Sequence, residues 1–367
     1  MNNSRNPPNH ALPALGLLLL LLLAFAAALY KQQDAAPANW VEGWHEIGAF
    51  QYPRRALAAS IVNNYLYVIG GVDDHGQYVR PVEYAPILDD GTLGSWHTTT
   101  SLQEGRFYLA AVSDNGYLYA LGGGGGALGD DNVPLASVER ARILPDGSLG
   151  PWQLFNYMTT PRRGLKATVI DHRIYAVGGY NGRFLKSTER LDLDTTTPPQ
   201  WQAETQLAQI DRYIHAMAAT RQRLYLLGGH VEKGGPMSYG DVESAVVGAG
   251  GQLEPWSIAK TRLLMPRFIA SAFAFNDHLY LLGGHDGVRR LASVEMAPVA
   301  PSGEVGVWQQ LSSLNHKRSA TAVAVSGTRV YVAGGMDDLG VLSSVEMASL
   351  GPGGRLGNPS LSPAAER

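Results

Sequence analysis

Short apolar stretches that end in a pair of glycines recur six times along the chain. They are Leu66–Gly71, Leu118–Gly123, Ile174–Gly179, Leu224–Gly229, Leu279–Gly284 and Val330–Gly335. The second glycines of successive pairs are 52, 56, 50, 55 and 51 residues apart. The repeat contains strand patterns bounded by turn residues and no helical pattern. A strand-bearing repeat of about 50 residues predicts a β-propeller with one blade per repeat.

Each repeat has four apolar stretches, which matches the four strands of a propeller blade. The first stretch is rich in small residues, which suits strands that crowd around one axis: Ala56–Val62, Leu109–Ser113, Lys166–Ile170, His215–Ala219, Ala270–Phe275 and Ala320–Val325. The second stretch is the strand before the glycine pair. The third carries a glutamate: Glu83, Glu139, Glu189, Glu243, Glu295 and Glu346. The fourth begins with a tryptophan: Trp96, Trp152, Trp201, Trp256 and Trp308.

The turn between the third and fourth stretches usually contains a glycine, as in Asp90-Gly91 and Asp146-Gly147. Glycine supplies the positive φ that tight hairpin turns need. The third repeat departs from this pattern, because Thr195-Thr196-Thr197-Pro198-Pro199 stands in that place. We therefore expect a stiffer connection in the third blade.

The sixth repeat lacks its fourth stretch, since no tryptophan follows Glu346. A stretch of the missing type, which begins at Trp44, precedes the first repeat. The N-terminal strand around Trp44 is therefore predicted to complete the last blade and to remove a free sheet edge. The predicted propeller covers residues 40–357.

An apolar-Tyr-x-x-Gly-Gly strand, then Val-Glu, then Trp, at this spacing, resembles the kelch repeat. The variant Asp-Gly-Ser-Leu-Gly-Pro-Trp at residues 146–152 is similar to kelch proteins of bacterial genomes, which favours a bacterial source. The resemblance implies an all-β, six-bladed kelch β-propeller. Copper-radical oxidases on this fold need a cysteine joined to a tyrosine, and this chain has no cysteine.

Residues 11–30 form an apolar run of mostly Leu and Ala, preceded by a polar segment with Arg5. Two interpretations stay open for residues 1–30: an uncleaved signal anchor that spans the membrane, or a cleaved signal peptide. Both predict an extracytoplasmic propeller, either membrane-anchored or secreted. Residues 31–39 are interpreted as a linker and residues 358–367 as a polar tail.

The composition excludes several functions. The net charge of −3 provides no basic face for nucleic acid. The absence of cysteine excludes disulfides, thiolate metal sites and a cysteine nucleophile. No Gly-x-Ser-x-Gly elbow and no tight metal-ligand spacing occurs. The sequence therefore predicts no catalytic residue, no metal site and no cofactor.

One arginine stands 16 residues before the first glycine of every pair: Arg54, Arg106, Arg162, Arg212, Arg267 and Arg318. We expect the loops that carry these arginines and the loops after the glycine pairs to share one face. The kelch resemblance implies that this face is the usual ligand face. Six guanidinium groups there would suit a carboxylate, phosphate or sulfate. The alternative is structural, with each arginine tied to backbone carbonyls or to the glutamate of the third strand.

Residues that do not repeat are better evidence for specificity, because the fold does not require them. Aromatic and histidine side chains on the same loops form this set: Phe107, Tyr108, Tyr213, Phe268, His75, His230 and His285. Together they could hold a peptide or a sugar. The alternative is that they are ordinary solvated loop residues.

The leading function hypothesis is a non-catalytic, extracytoplasmic scaffold that binds a protein segment or a glycan through this face. The alternative is an isomerase of acidic sugars, similar to the six-bladed kelch mutarotases for sialic acid. There the arginines would hold the sugar carboxylate and a carboxylate such as Glu232 would move a proton.

Overall fold

The computed structural model describes residues 40–127, 132–195, 198–220, 222–230 and 237–359. The predicted anchor or signal segment 1–30, the linker 31–39, Asp130–Asp131, Glu232 and residues 360–367 lie outside the described residues. Within the described ranges, no helix has the length and apolar character needed to cross a bilayer.

Six antiparallel sheets follow one another along the chain as the blades of a propeller, which confirms the predicted all-β architecture. The chain enters through β1 (Trp40–Glu42) and β2 (His45–Ala49). Blade 1 consists of β3 (Ala58–Val62), β4 (Tyr65–Ile69), β5 (Pro81–Pro86) and β6 (His97–Ser101). Blade 2 consists of β7 (Ala110–Asp114), β8 (Tyr117–Leu121), β11 (Ser137–Arg142) and β12 (Gln153–Tyr157), with a loop hairpin of β9 (Gly124–Gly126) and β10 (Asn132–Pro134).

The other four blades are built in the same order. Blade 3 consists of β13 (Lys166–Ile170), β14 (Arg173–Val177), β15 (Thr188–Asp192) and β16 (Trp201–Ala203). Blade 4 consists of β17 (Ala216–Thr220), β18 (Arg223–Leu227), β19 (Val242–Val246) and β20 (Ser257–Ile258). Blade 5 consists of β21 (Ser271–Phe275), β22 (His278–Leu282), β23 (Val294–Pro298) and β24 (Gln309–Leu311). Blade 6 contains β25 (Ala322–Ser326), β26 (Arg329–Ala333) and β27 (Ser344–Leu350), followed by a 3-10 turn (Pro352–Gly354) and β28 (Leu356–Pro359).

The hydrophobic core lies between the blades. Six apolar clusters each join one blade to the next, and the sixth joins blade 6 to blade 1. Between blades 1 and 2, for example, Tyr67 packs with Leu118 and Trp152. A single blade could not bury its two faces alone, so the ring folds as one cooperative body.

Blade-to-blade hydrogen bonds from the repeated tyrosine explain the repeated turn glycine. Tyr67 donates its hydroxyl hydrogen to the carbonyl of Gly147 in the next blade, over 2.7 Å. Tyr175, Tyr225, Tyr280 and Tyr331 make the corresponding bonds to Gly251, Gly303, Gly354 and Gly91. In blade 2 the equivalent tyrosine is Tyr119, whose pKa is raised by burial, while a hydrogen bond to Arg140 opposes that shift.

The N-terminal strand closes the ring, as predicted. β2 pairs antiparallel with β27, with Glu46 opposite Glu346. Trp44 is 5% exposed and donates its indole N–H to the carbonyl of Ser312 in the connection from blade 5. The chain end adds β28, which pairs with both β27 and β1 and runs to Pro359, two residues beyond the predicted end of the propeller.

We predict that Trp44→Ala lowers the free energy of unfolding by about 3–5 kcal/mol, because it opens a cavity at the closure between blades 5 and 6. Urea denaturation of the full chain measures this. Val41→Ala is the matched control, since Val41 is half exposed on the neighbouring strand and should cost less than about 0.5 kcal/mol. Equal losses in the two variants would show that the closure does not depend on Trp44.

One contact between blades departs from the others. In four blades the residue three positions after the arginine packs on the first glycine of the preceding blade's pair, and it is Leu57, Leu109 and Leu165 in the first three of them. In blade 4 it is His215, which is fully buried and has no hydrogen-bond partner on either ring nitrogen among the described residues. Burial, then the charges of Arg212 and Lys166, hold the pKa of His215 well below its usual value.

We predict that the protein loses stability as the pH falls from 7 to 5, in part through His215. An unfolded histidine takes up a proton near pH 6.5, whereas folded His215 stays neutral, so acid favours the unfolded chain. His215→Leu should remove this part of the slope, about 1.4 kcal/mol per pH unit below 6.5. Chemical denaturation of both proteins at pH 7, 6 and 5 measures it, and an unchanged slope would contradict the assignment.

Candidate functional site

The six repeated arginines lie inside the blades and not on the surface. Each is 0–1% exposed and forms an ion pair with the glutamate of the third strand in its own blade. The N–O distance is 2.5–2.8 Å in five pairs, and Arg267 with Glu295 makes the sixth. A ligand on the face would not touch these guanidinium groups.

Each pair also fixes the backbone around it. In blade 3, Arg162 donates to the carbonyls of Gly178 and Ser187, which end one strand and precede the next. Its partner Glu189 accepts the backbone N–H groups of Thr159 and Thr160 in the entering loop. The same set of bonds recurs in all six blades.

Arg54 and Glu189 both stay charged at neutral pH. Burial lowers the pKa of Arg54 to about 10, while Glu83 opposes that shift. Burial alone would raise the pKa of Glu189, but the hydrogen bond and charge of Arg162 hold it below its usual value. The repeated arginines therefore organise the loops of the face, and ligand contacts fall to other residues.

Directly after each arginine the loops of one blade pair with each other. The residue after the arginine forms a β-bridge with the residue after the glycine pair, as in Tyr213 with His230 and Phe268 with His285. This confirms that the two sets of loops share a face. The next residue has a left-handed backbone in every blade: Ala56, Tyr108, Gly164, Ile214, Ile269 and Ala320. In blades 1 and 6 the first strand begins two residues later than the apolar pattern predicts, at Ala58 and Ala322, because the left-handed residue breaks the extended backbone, whereas in blade 3 it begins at Lys166 as predicted.

These six left-handed residues surround the propeller axis. The N–H of each donates to the carbonyl of its counterpart in the preceding blade, as in Tyr108 to Ala56 over 2.7 Å and Ala56 to Ala320 over 2.8 Å. Five of the six links are made. The sixth link, from the N–H of Ile214 in blade 4 to the carbonyl of Gly164 in blade 3, is absent among the hydrogen bonds of the described residues. β-Branched isoleucine is rare in this conformation, which marks strain at the axis.

An arc of ring side chains crosses blades 3, 4 and 5 on this face. It consists of Tyr180, Phe184, Tyr213, His230, Phe268 and His285, which we call the aromatic arc. Neighbouring rings have centroids 5.0–6.2 Å apart. All six side chains are partly exposed. The sequence singled out Tyr213, Phe268, His230 and His285 and missed the other two, although Tyr180 directly follows its glycine pair.

Two further arginines act on Tyr108 at the axis, and one of them, Arg163, also contacts the arc. Arg163 lies over the rings of Tyr180 and Tyr213, 4.8 and 5.7 Å from their centroids. Burial raises the pKa of Tyr108, and the charges of Arg55 and Arg163 oppose that shift, so both cations act on this phenol. Neither arginine forms an ion pair with a carboxylate in the part of the chain that the structure describes. The face therefore carries positive charge where it meets the axis.

The glycine at position 164 makes room for the arc. A Cβ there would lie 2.4 Å from the ring of Tyr213 and 2.9 Å from the side chain of Ile214. The other blades have a side chain at this position. Glycine lets the Tyr213 ring reach inward and contact Tyr180.

The other predicted aromatics form a separate, smaller group. Phe107 lies 6.1 Å from Tyr78 and 5.3 Å from Tyr108, measured between ring centroids. Tyr108 lines the axis, and His75 is an exposed loop residue in blade 1. The structure therefore places the candidates in two groups and leaves His75 outside both.

Carboxylates in the loops after the glycine pairs hold their own loops. Asp73 accepts the N–H groups of His75 and Gln77, and Asp286 accepts those of Val288 and Arg289. The ring of Phe268 contacts both His230 and His285. Across the described residues, no three His, Asp or Glu side chains are grouped as metal ligands would be.

Comparison with known proteins agrees with this geometry. The model of the Kelch motif family matches residues 161–197 and 317–347. Each matched segment contains a buried arginine and its glutamate, Arg162 with Glu189 and Arg318 with Glu346. These matches, the kelch-repeat relatives below and the six-bladed fold support a kelch-repeat β-propeller family.

Kelch relatives cover this chain in part. Beta-scruin from Limulus polyphemus is 27% identical over 192 residues, which are 51% of this chain and 20% of beta-scruin. Kelch-like protein 38 from Homo sapiens is 23% identical over 279 residues, 74% of this chain and 42% of that protein. The chain thus spans less than half the length of these curated relatives. The solved structure of YjhT has a TM-score of 0.65 at 16% identity, covers 84% of this chain and 98% of that one, and shares the fold.

We predict that Arg162→Met lowers the free energy of unfolding by about 3–5 kcal/mol, because it leaves Glu189 buried without its cation. Arg163→Met is the matched control one residue away. Arg163 is only half-buried, so the loss of its ring contacts should cost about 1 kcal/mol or less. Urea denaturation distinguishes the two. Similar small losses in both variants would contradict the structural role of the kelch arginine.

Proposed function

We propose that this kelch propeller is a non-catalytic scaffold that binds a segment of a partner protein on the aromatic arc. The observation that carries the proposal is the arc itself, a continuous row of partly exposed rings that the repeat does not require. Aromatic residues with few rotatable bonds form the strongest contacts in protein interfaces.

Apolar loop tips beside the arc favour a protein over a sugar as the ligand. Met237, Val288 and Leu339 are 50%, 90% and 97% exposed in the loops after the glycine pairs of blades 4, 5 and 6. Large apolar tips near aromatic and arginine side chains are typical of protein-binding surfaces. Glycan recognition needs more polar groups directed at hydroxyls than these tips offer.

The charge beside the arc indicates an acidic partner segment. Arg163 brings a guanidinium group to the axial end of the arc, against Tyr180 and Tyr213, and Arg55 adds a second positive charge near Tyr108 at the axis. A carboxylate from the partner would accept bidentate hydrogen bonds from such a group. An extracytoplasmic location, from the predicted segment 11–30, is part of the proposal.

The alternative of an acidic-sugar isomerase loses its main support. That hypothesis used the six repeated arginines to hold a carboxylate, and all six are buried against glutamates. Its candidate proton carrier, Glu232, lies outside the described residues. No other observation on this face favours proton transfer.

We predict that Phe184→Ala and Phe268→Ala each weaken binding of a selected peptide by tenfold or more. The peptide would be selected on the full chain from a displayed random library, with a glycan array run in parallel, and binding would be measured by surface plasmon resonance. Tyr157→Ala is the control, because Tyr157 is 58% exposed on the outer strand of blade 2, away from the arc.

The possible results separate the hypotheses. Selection of acidic peptides that lose affinity in both arc variants supports the proposal. Ligands found only on the glycan array would assign the face to sugars. Peptides whose affinity is the same in wild type and both arc variants would contradict the proposal.

A further inference from the structure

The centre of the ring contains a cation that the kelch repeat does not explain. Lys166 is the first residue of β13, the innermost strand of blade 3. At the same position the other blades have Ala58, Ala110, Ala216, Ser271 and Ala322. Lys166 lines two adjoining cavities, one at the axis mouth and one directly inside it. The lysine therefore places one ammonium group in a channel whose other lining residues are uncharged.

This ammonium has no counter-ion. Neither axial cavity has a carboxylate in its lining, and Lys166 makes no ion pair or side-chain hydrogen bond with any described residue. Burial alone lowers the pKa of Lys166 to about 8, which leaves it protonated at neutral pH. Lys166 is half-buried by its accessible surface, and a cation partly removed from water without a partner is costly in free energy unless an anion or water compensates it.

The same cavity contains an amide that lacks its usual acceptor. Ile214 and Gly164 both line the axis mouth together with Lys166. Among the described hydrogen bonds, the ring of backbone bonds has none between these two residues. The N–H of Ile214 therefore does not donate to the ring, whereas the N–H groups of the five equivalent residues do.

The space around Lys166 suits a small ligand. The cavity directly inside the mouth has a volume of about 140 Å³ and is lined mainly by alanine, with Ser271 and Thr321. Ser271 and Thr321 donate their hydroxyl hydrogens to backbone carbonyls, so they do not compete for the lysine. A volume of this size holds an ion with a few waters and excludes a sugar or a peptide.

We propose that the propeller axis is a binding site for a small anion, such as a halide or a short carboxylate, held by Lys166 and the N–H of Ile214. The site lies on the channel side of the residues that surround the mouth. It does not depend on the aromatic arc or on a partner protein. Its occupant would compensate the half-buried ammonium and join blades 3 and 4 where the ring of backbone bonds is open.

Anion-dependent stability tests the proposal on the full chain. Wild type, Lys166→Met and Lys317→Met would be melted in 100 mM sodium chloride and in 100 mM sodium gluconate, whose anion is too large for the cavity. Lys317 is exposed, so Lys317→Met is the matched control that also removes one positive charge. We expect chloride to raise the melting temperature of wild type and Lys317→Met by about 2–4 °C over gluconate. Lys166→Met should show no such difference.

A second measurement uses the wild-type protein, so it does not depend on a variant that folds. Crystals soaked in sodium bromide should show anomalous scattering on the axis within hydrogen-bond distance of the Lys166 ammonium. Soaking in acetate then distinguishes a carboxylate from a halide as the preferred occupant. Water alone beside Lys166 in both soaks, or equal chloride responses in wild type and Lys166→Met, would overturn the proposal.

Discussion

A buried arginine–glutamate pair in each blade is the interaction on which the rest of this molecule depends. The guanidinium of Arg162 joins two strands through their carbonyls, and Glu189 holds the loop that enters the blade through two N–H groups. Two charges in the interior are stable only if most donors and acceptors around them are used, and here both terminal nitrogens of Arg162 and both carboxylate oxygens of Glu189 form hydrogen bonds. Since the pair recurs six times, the loops of one face start from the same position in every blade.

Because the buried pairs fix the start of each loop, the loop side chains can differ between blades. The β-bridge after each arginine brings the residue after the glycine pair to the face, whatever its side chain. In blade 6 this pair is Ser319 with Met336, and in blades 4 and 5 it is an aromatic residue with a histidine. The aromatic arc is therefore a property of three neighbouring blades on a common frame. Specificity can change there without a change in the buried pairs.

The sequence predicted the blade count and the ring closure, because Gly-Gly, Glu and Trp recur at fixed spacing and only the sixth repeat lacks its tryptophan. It left the role of the arginines open, because arginines exposed on the surface and arginines buried in ion pairs would recur at the same spacing along the chain. The glutamate 27–33 residues after each arginine was the signal for burial. Tyr180, Phe184 and Arg163 were missed because their proximity depends on Gly164 and on a bridge after a left-handed residue, which no sequence period reveals.

The departures from the repeat concentrate at one contact, between blades 3 and 4. There Gly164 admits the ring of Tyr213, His215 replaces leucine, Lys166 replaces alanine or serine, and the backbone link from Ile214 is absent. The contacts between the other blades lack these changes. We therefore expect each change alone to cost stability. Local conflicts with the fold are expected where a protein keeps residues for another purpose. The axial end of the arc and Lys166 both lie at this contact. The proposed binding of a partner segment on the face and of an anion at the axis therefore involves the same contact between blades 3 and 4.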